Sequence, residues 1–440
     1  MPSKCVLLLL DGLADHAHPE LGHRTPLQAA STPGLDRLAA AGACGLYHPT
    51  AVGEALPSEI AHLPLLGYGT GSFPGRGALE ALGAGAHLGP HDVALLAHLA
   101  CLEARGGTLV LVRDRPGLPQ EQARELTSAV ADYEAGGIRV RFHPTRGAWG
   151  VLVLSGGASP FVTDTSPMIE GRPLADVRPW AEHAGDPAAR RTAGALRAYL
   201  RWSHRVLSAH PVNRERAREG LPPANGWVTQ RPGRLRPVTG FSERFGMRGL
   251  TIASGAVYHG LGRFLGLDVE RVRDTDDPSR DLEHRLGLAR EALADHDFVH
   301  VHTKAPDEAG HRKDPGHKAR VIEALDRAVG RAAGPLADDP EVLLVVTADH
   351  ATPSSGPLIH SGETVPVLLH GLGVRRDGVR TFDEVSAAGG CLGLLRGTEL
   401  FGLVLTHTGR ARLAGIREAP EAVDHWPAPY EPLRLEEDGG

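Results

Sequence analysis

Cysteine, lysine, methionine and aromatic residues are all scarce in this 440-residue chain. The four cysteines, Cys5, Cys44, Cys101 and Cys391, form no CxxC pair, which argues against a thiolate metal or redox centre and fits a reducing cytoplasm. Positive charge is not in excess: 47 Lys+Arg against 53 Asp+Glu give a formal charge of −6, which excludes a basic nucleic-acid binder. Long hydrophobic runs are missing too. The N-terminal run from Cys5 to Leu10 is stopped by Asp11, too short for a membrane span and a poor signal-peptide core, so the chain is expected to be soluble and unprocessed. Low complexity is also absent, since the 55 glycines and 34 prolines lie scattered between apolar runs. What remains is an ordinary globular composition, 41% hydrophobic, long enough at ~150 residues per domain for two or three domains.

The segment CVLLLLDG reads as a fully buried strand ending in an acid and a glycine. The same form recurs at Phe298–Thr303 before KAPDEAGH, at Val342–Thr347 before ADHATP, and at Val365–Leu369 before HGLG. Helical spacing fills Leu282–Leu293 and Lys318–Ala332. Alternating strand and helix predicts an α/β domain, a mostly parallel sheet sandwiched by helices, with ligands bound beyond the carboxyl ends of the strands. Between Gly75 and Pro187 the pattern changes to shorter strands (Thr108–Val112, Ile138–Phe142, Gly150–Leu154) and a helix over Gln120–Tyr133, which predicts a smaller inserted α+β domain. The expected division is therefore 1–75 with 188–440 for the main domain and 76–187 for the insert, with Pro187–Ala209 as a long helix returning to the main core. Beyond Trp426 the Pro- and acid-rich tail is expected to fray.

The 24 histidines stand out, because imidazole is the commonest transition-metal ligand. Those among Gly, Pro and charges, namely His16, His18, His23, His87, His91 and His183, are expected to be solvated. Asp307 and His311 are four apart, so one helical face presents both. Alone this is a common surface pair. Asp349-His350 directly follows a buried strand, and His360 stands in a polar loop before the next one. Together with Asp11, these residues converge on one sheet edge and offer carboxylate oxygen and imidazole nitrogen, donors suited to Mn²⁺ or Zn²⁺. Two such ions a few Å apart clamp a phosphoryl group and acidify a bound hydroxyl.

The order LLLDGLAD, LPSEIAHLPLLGY, GRGALEALGAG, HPVNRERAREGLPPAN, KAPDEAGH, TADHATP, HSGETVPVLLHG resembles the cofactor-independent (2,3-bisphosphoglycerate-independent) phosphoglycerate mutases of the archaeal type, in the alkaline phosphatase superfamily. The resemblance runs from about Lys4 to about Leu405. It implies an alkaline phosphatase-like fold, Ser58 as the catalytic phosphoryl-accepting nucleophile, one metal held by Asp11, Ser58, Asp349 and His350, and a second held by Asp307, His311 and His360. A serine hydroxyl needs such activation at neutral pH. Ser58, before Glu59 and an apolar run, is also a reasonable helix N-cap. The implied reaction is interconversion of 3- and 2-phosphoglycerate through a phosphoserine, with two divalent cations and no organic cofactor, on a small phosphorylated substrate, in the cytoplasm, with no nucleic-acid or membrane partner. Lys304, one of only four lysines, and Arg76, Arg113, Arg115 and Arg146 are candidates to hold the substrate's anionic groups.

Departures from that pattern fall outside the metal set. Pro57-Ser58-Glu59 and His62 stand where the family has Gly-Ser-Asp and an Asn; Leu95-Leu96-Ala97-His98 replaces Phe-Arg-Cys-Asn; GWVTQRPGR and Val272-Arg273-Asp274-Thr275 are also altered. Replacing a clamping Arg by Leu96 weakens anion binding by ~1.5–3 kcal/mol. A diverged mutase, phosphatase or phosphotransferase acting on another phosphorylated or phosphonate molecule is the alternative this leaves open.

Overall fold

The computed structural model describes residues 1–435; the last five residues of the acid-rich tail lie outside the described residues. The chain divides into two compact units, one of residues 1–72, 238–254 and 265–440, the other of residues 73–237 and 255–264.

The first unit is built on an eight-stranded sheet: β1 (Lys4–Leu10), β2 (Ala43–His48), β3 (Gly249–Ala253), β4 (Asp268–Arg271), β5 (Phe298–Thr303), β6 (Val342–Thr347), β7 (Val365–His370) and β8 (Gly393–Arg396), in the order β4-β3-β5-β1-β6-β7-β2-β8. The central strands β5, β1 and β6 pair in parallel, Leu10 opposite Thr303 and Leu9 opposite Thr347. Cys5 to Leu10 are at most 2% exposed, as a strand covered on both faces requires. The expected mostly parallel α/β sheet is thus present.

One strand runs against expectation in a way that matters. β7 is antiparallel to both β6 and β2. The connection from Thr347 to Val365 holds no crossover helix, so the chain turns back at the edge where β6 ends. A residue just before β7 therefore lies at the carboxyl edge of β1, β5 and β6, whereas before a parallel strand it would lie at the opposite edge.

The helices α1 (Ser58–Leu65), α2 (Pro278–Ala292), α3 (Ala305–His311) and α4 (Pro315–Ala332) flank the site-bearing strands. α2 and α4 begin earlier than their apolar spacing indicates. Asp277 and Asp314 cap them through side-chain oxygens and Pro278 and Pro315 fill the first helical position, so the opening turn carries no apolar stripe to read. Among the described residues no helix is long and apolar enough to cross a membrane. All four cysteines are free.

The second unit carries a six-stranded antiparallel sheet: Thr108–Arg113, Val93–Arg105, Trp149–Ser155, Ile138–Arg146 and Asp132–Ala135 in order, with Gly226–Gly233 paired to Val93–Arg105. Two expectations are corrected here. The helix from Gln120 ends at Ala129, and Asp132–Ala135 is a strand because Tyr133 pairs with Val140. The helix Pro187–Ser208 does not return the chain to the first unit: Leu196, Tyr199 and Leu207 pack with Leu99, Val130, Leu152 and Trp227 in this unit's own core, so the unit runs on to Pro237 rather than ending at 187. Periodicity showed that this helix has an apolar face, not which core covers it.

Candidate active site

Asp11 follows β1, and its backbone amide donates to the Thr303 carbonyl at 3.0 Å, continuing the ladder one residue past the strand. The turn needs glycine next. Gly12 has φ +67°, and a Cβ there would sit 2.5 Å from Thr352 Oγ1 and 2.7 Å from Asp307 Cβ. The Gly12 amide instead donates to Asp349 Oδ1 at 3.1 Å, tying the β1 and β6 turns together.

The short helix α3 presents Asp307 and His311 on one face, with His311 Nε2 3.2 Å from Asp307 Oδ1. Thr352 Oγ1 donates to the same oxygen at 2.7 Å. Lys304, just before the helix, places Nζ 2.8 Å from Asp307 Oδ2 and 3.5 Å from Asp11 Oδ2. Asp349 and His350 leave β6 fully buried, and the reversed β7 brings His360 to them. The His350 and His360 rings stack with centroids 3.7 Å apart, and His360 Nε2 is 3.4 Å from Asp307 Oδ1.

Ser58 opens α1 but does not cap it, correcting the N-cap reading: Pro57 takes that position, and the Ser58 hydroxyl lies 2.9 Å from His350 Nε2 and 3.5 Å from Lys304 Nζ. One turn later His62 sets Nδ1 2.7 Å from the Ser58 carbonyl and 3.3 Å from Asp349 Oδ2. The helix thus positions Ser58 and braces Asp349 at once.

Asp11, Asp307 and Asp349 are all 0% exposed. Burial opposes ionisation of each, and at Asp11 the nearby Asp349 opposes it further. Lys304 and the His302 hydrogen bond nevertheless hold Asp11 below the ordinary range. His311 and His360 hydrogen bonds with Lys304 hold Asp307 far below it, and His350 does the same for Asp349. Burial disfavours the charged form of His350, but Asp349, Asp11 and Asp307 outweigh it and raise its pKa. Three carboxylates converge in this buried site, an arrangement that divalent cations answer. Ligand atoms of Asp11, Asp349 and His350, and of Asp307, His350 and His360, cluster within 4.8 Å, a mixed oxygen and nitrogen set of the kind such ions take.

All seven residues expected to hold metal therefore meet at one sheet edge, with His350 touching both clusters. Lys304 joins them. The arginines all belong to the second unit: Arg76 sits 3.4 Å from Glu80, Arg113 is 3.7 Å from Glu170, Arg115 lies 5.5 Å over the Trp149 ring, and Arg146 lines a cleft with Arg124 and Ser128. Sequence reasoning missed Thr352, His302 and the bracing role of His62. The alternation in FVHVHT, two imidazoles on one face of a buried strand, was the available signal for His302. His18 is not solvated: it is 2% exposed, with Nε2 3.1 Å from Asp15 Oδ1.

The family model for 2,3-bisphosphoglycerate-independent phosphoglycerate mutase matches residues 39–213. A protein of that name from Methanopyrus kandleri is 42% identical over 407 residues, 91% of this chain and 95% of the relative. A second, from Methanocaldococcus jannaschii, is 36% identical over 422 residues, 94% of this chain and 95% of its own. Among solved structures, the cofactor-independent phosphoglycerate mutase of Thermoplasma acidophilum gives a TM-score of 0.66 at 31% identity, covering 92% of this chain and 100% of that one. A Pyrococcus horikoshii protein gives 0.79 at 28% identity, covering 94% and 100%.

Proposed function

The chain belongs to the 2,3-bisphosphoglycerate-independent phosphoglycerate mutase family, and we propose that it interconverts 3-phosphoglycerate and 2-phosphoglycerate by passing the phosphoryl group through Ser58. The observation that carries this reading is the Ser58 hydroxyl, 4% exposed, set between His350 and Lys304 in a ring of buried acids.

We assign Asp11, Ser58, Asp349 and His350 to one divalent cation and Asp307, His311 and His360 to another, Mn²⁺ or Zn²⁺ by donor type. Bound there, the ions lower the pKa of the Ser58 hydroxyl and neutralise phosphoryl oxygens. The chain's own groups do the rest. Ser58 Oγ forms the bond to phosphorus as the bond from phosphorus to the glycerate C3 oxygen breaks, and the proton that leaves Ser58 is matched by the one the released C3 alkoxide takes up. Lys304 Nζ donates to a phosphoryl oxygen on the way, and the first turn of α1 favours the anionic phosphoserine. The glycerate C2 oxygen then forms its bond to phosphorus as the bond to Ser58 Oγ breaks, and the proton lost by the C2 hydroxyl is matched by the one Ser58 regains. Retaining glycerate and excluding water between the two transfers is the task we assign to the second unit, with Arg76, Arg113, Arg115 and Arg146 as its candidate carboxylate and phosphate clamps.

The test is to quench the metal-loaded enzyme with 3-phosphoglycerate and map phosphate by peptide mass spectrometry. Phosphate on the Ser58 peptide, with no phosphopeptide and no turnover in Ser58→Ala, is the expected result. Full activity in that variant overturns the assignment.

A further inference from the structure

The helix Pro187–Ser208 buries one face in the core of the second unit and carries Arg197, Arg201 and Arg205 at four-residue intervals beside it. Residues so spaced are neighbours on a helix, about 6 Å apart along its axis, and like charges there repel. Arg197 is committed: its Nη1 lies 3.2 Å from the Val177 carbonyl and 3.6 Å from Asp176 Oδ2. The guanidiniums of Arg201 and Arg205 have no hydrogen-bond or ion-pair partner among the described residues. The helix C-terminus accounts for a cation in its last turn, where Arg205 stands, but its field does not reach back to Arg201.

The three arginines border a cleft of about 680 Å³ that lies wholly within this unit. Its floor is apolar. The segment after Gly171 runs along the strand Thr108–Arg113, and the Leu174 amide donates to the Leu109 carbonyl at 2.8 Å, which sets those two leucines side by side. Leu200 and Tyr133 complete the floor, and all four residues are only half-buried. The Tyr133 ring is held by stacking on Trp202, with centroids 4.8 Å apart. Asp176 is the one carboxylate of the lining, and it is already shared between Arg178 at 3.2 Å and Arg197. The cleft therefore joins half-exposed apolar surface to two uncommitted guanidiniums. His204 adds an acceptor, since the proton on its Nδ1 is directed at the Asn225 carbonyl 2.8 Å away and leaves a lone pair on Nε2.

We propose that this cleft binds a nucleoside diphosphate or triphosphate, with phosphates on Arg201 and Arg205 and the base on the floor of Leu109, Tyr133, Leu174 and Leu200. Two guanidiniums one helical turn apart each grip a phosphoryl group through paired N–H donors, and their mutual repulsion is relieved by the anion between them. The flat base covers the half-exposed leucines and tyrosine and meets His204 with an exocyclic donor. The volume suits such a ligand, since sites for molecules of this size run from about 300 to 1,000 Å³. A phosphoglycerate has no apolar part to set on this floor. The cleft shares no residue with the Ser58 site, so the inference stands apart from the mutase reading.

The site is tested by titrating the full-length protein with ADP in a calorimeter, with EDTA present so that no metal ion carries the phosphates. The wild type is expected to bind a single ADP, and adenosine and pyrophosphate are each expected to bind at least roughly tenfold more weakly, because each lacks half of the contacts. Arg201→Ala and Arg205→Ala are each expected to weaken ADP by roughly tenfold or more, and the double variant by roughly a hundredfold. Their circular dichroism should not change, since both side chains are exposed and alanine is the best helix former. Asp307→Asn, altered in the other unit, is expected to bind ADP as the wild type does. No saturable ADP binding at millimolar concentration, or binding that the double variant retains, overturns the site. Pyrophosphate binding as tightly as ADP overturns the nucleotide assignment, and none of these results touches the mutase assignment.

Discussion

Lys318→Met is the perturbation whose cost the structure defines best. Lys318 lies on α4 and is 0% exposed, and its ammonium spends its three donors on the Ala14 carbonyl (2.9 Å), the Thr352 carbonyl (2.7 Å) and Asp15 Oδ2 (3.1 Å). It therefore pins the turn after β1 to the turn after β6, the two segments that deliver Asp11 and Asp349. Methionine fills a similar volume without a cavity or overpacking, so the loss is polar. Two carbonyls lose a donor, while Asp15 keeps His18, the amides of His16 and Ser354 and the Ser354 side chain. Removing one partner of a buried ion pair costs ~3–5 kcal/mol, and we expect a loss in that range, because the remaining donors to Asp15 offset part of the orphaned carbonyls. Urea unfolding followed by far-UV circular dichroism reads the shift in midpoint, and Lys318→Met/Asp15→Leu is expected to lose less than the two single variants summed. A loss below ~1 kcal/mol in Lys318→Met, or strict additivity in the double variant, refutes the reasoning.

Two further predictions concern orientation and pH. Thr352→Val keeps the shape but removes the hydroxyl that donates to Asp307 Oδ1 at 2.7 Å, and is expected to weaken Mn²⁺ binding at the Asp307 site by ~10–100-fold in calorimetry while the melting temperature barely moves; unchanged affinity means that the hydroxyl does not orient the ligand. Glu384, which accepts from Thr25 Oγ1 at 2.8 Å, has its pKa pushed up to about 7 by burial. The folded pKa is above that of the unfolded chain, so this contribution to stability is full below ~4.3 and is lost as pH rises through about 7. Melting temperatures between pH 5 and 8 should accordingly fall less steeply in Glu384→Gln than in the wild type, and parallel curves rule out Glu384 as the source.

Much of the site was legible because its residues sit directly after runs that only a doubly covered strand explains. Asp11, Asp307 and Asp349 each follow such a run, and the helical spacing of Asp307 and His311 is local. What was not legible depends on partners distant in the chain. Ser58 and His350 meet across 292 positions, and Thr352 reaches Asp307 across 45. The position of His360 depends on β7 running backwards, which an apolar run of five or six residues does not disclose, since it reads the same in either direction. The helix Pro187–Ser208 has a clear apolar face, but the partner of that face is set by the strand Gly226–Gly233 and its neighbours. His18 looked solvated for the same reason: its flanking residues are polar, but its ring meets Asp15 and, from a distant part of the chain, the Ser354 hydroxyl.

The most direct test of the central claim is a phosphorus NMR time course of Mn²⁺-loaded protein with 3-phosphoglycerate. Appearance of 2-phosphoglycerate without inorganic phosphate is the result the two-step transfer through Ser58 predicts, and shows that Leu96 in place of a clamping arginine is compensated. Inorganic phosphate in place of 2-phosphoglycerate, or no change in the spectrum, contradicts it.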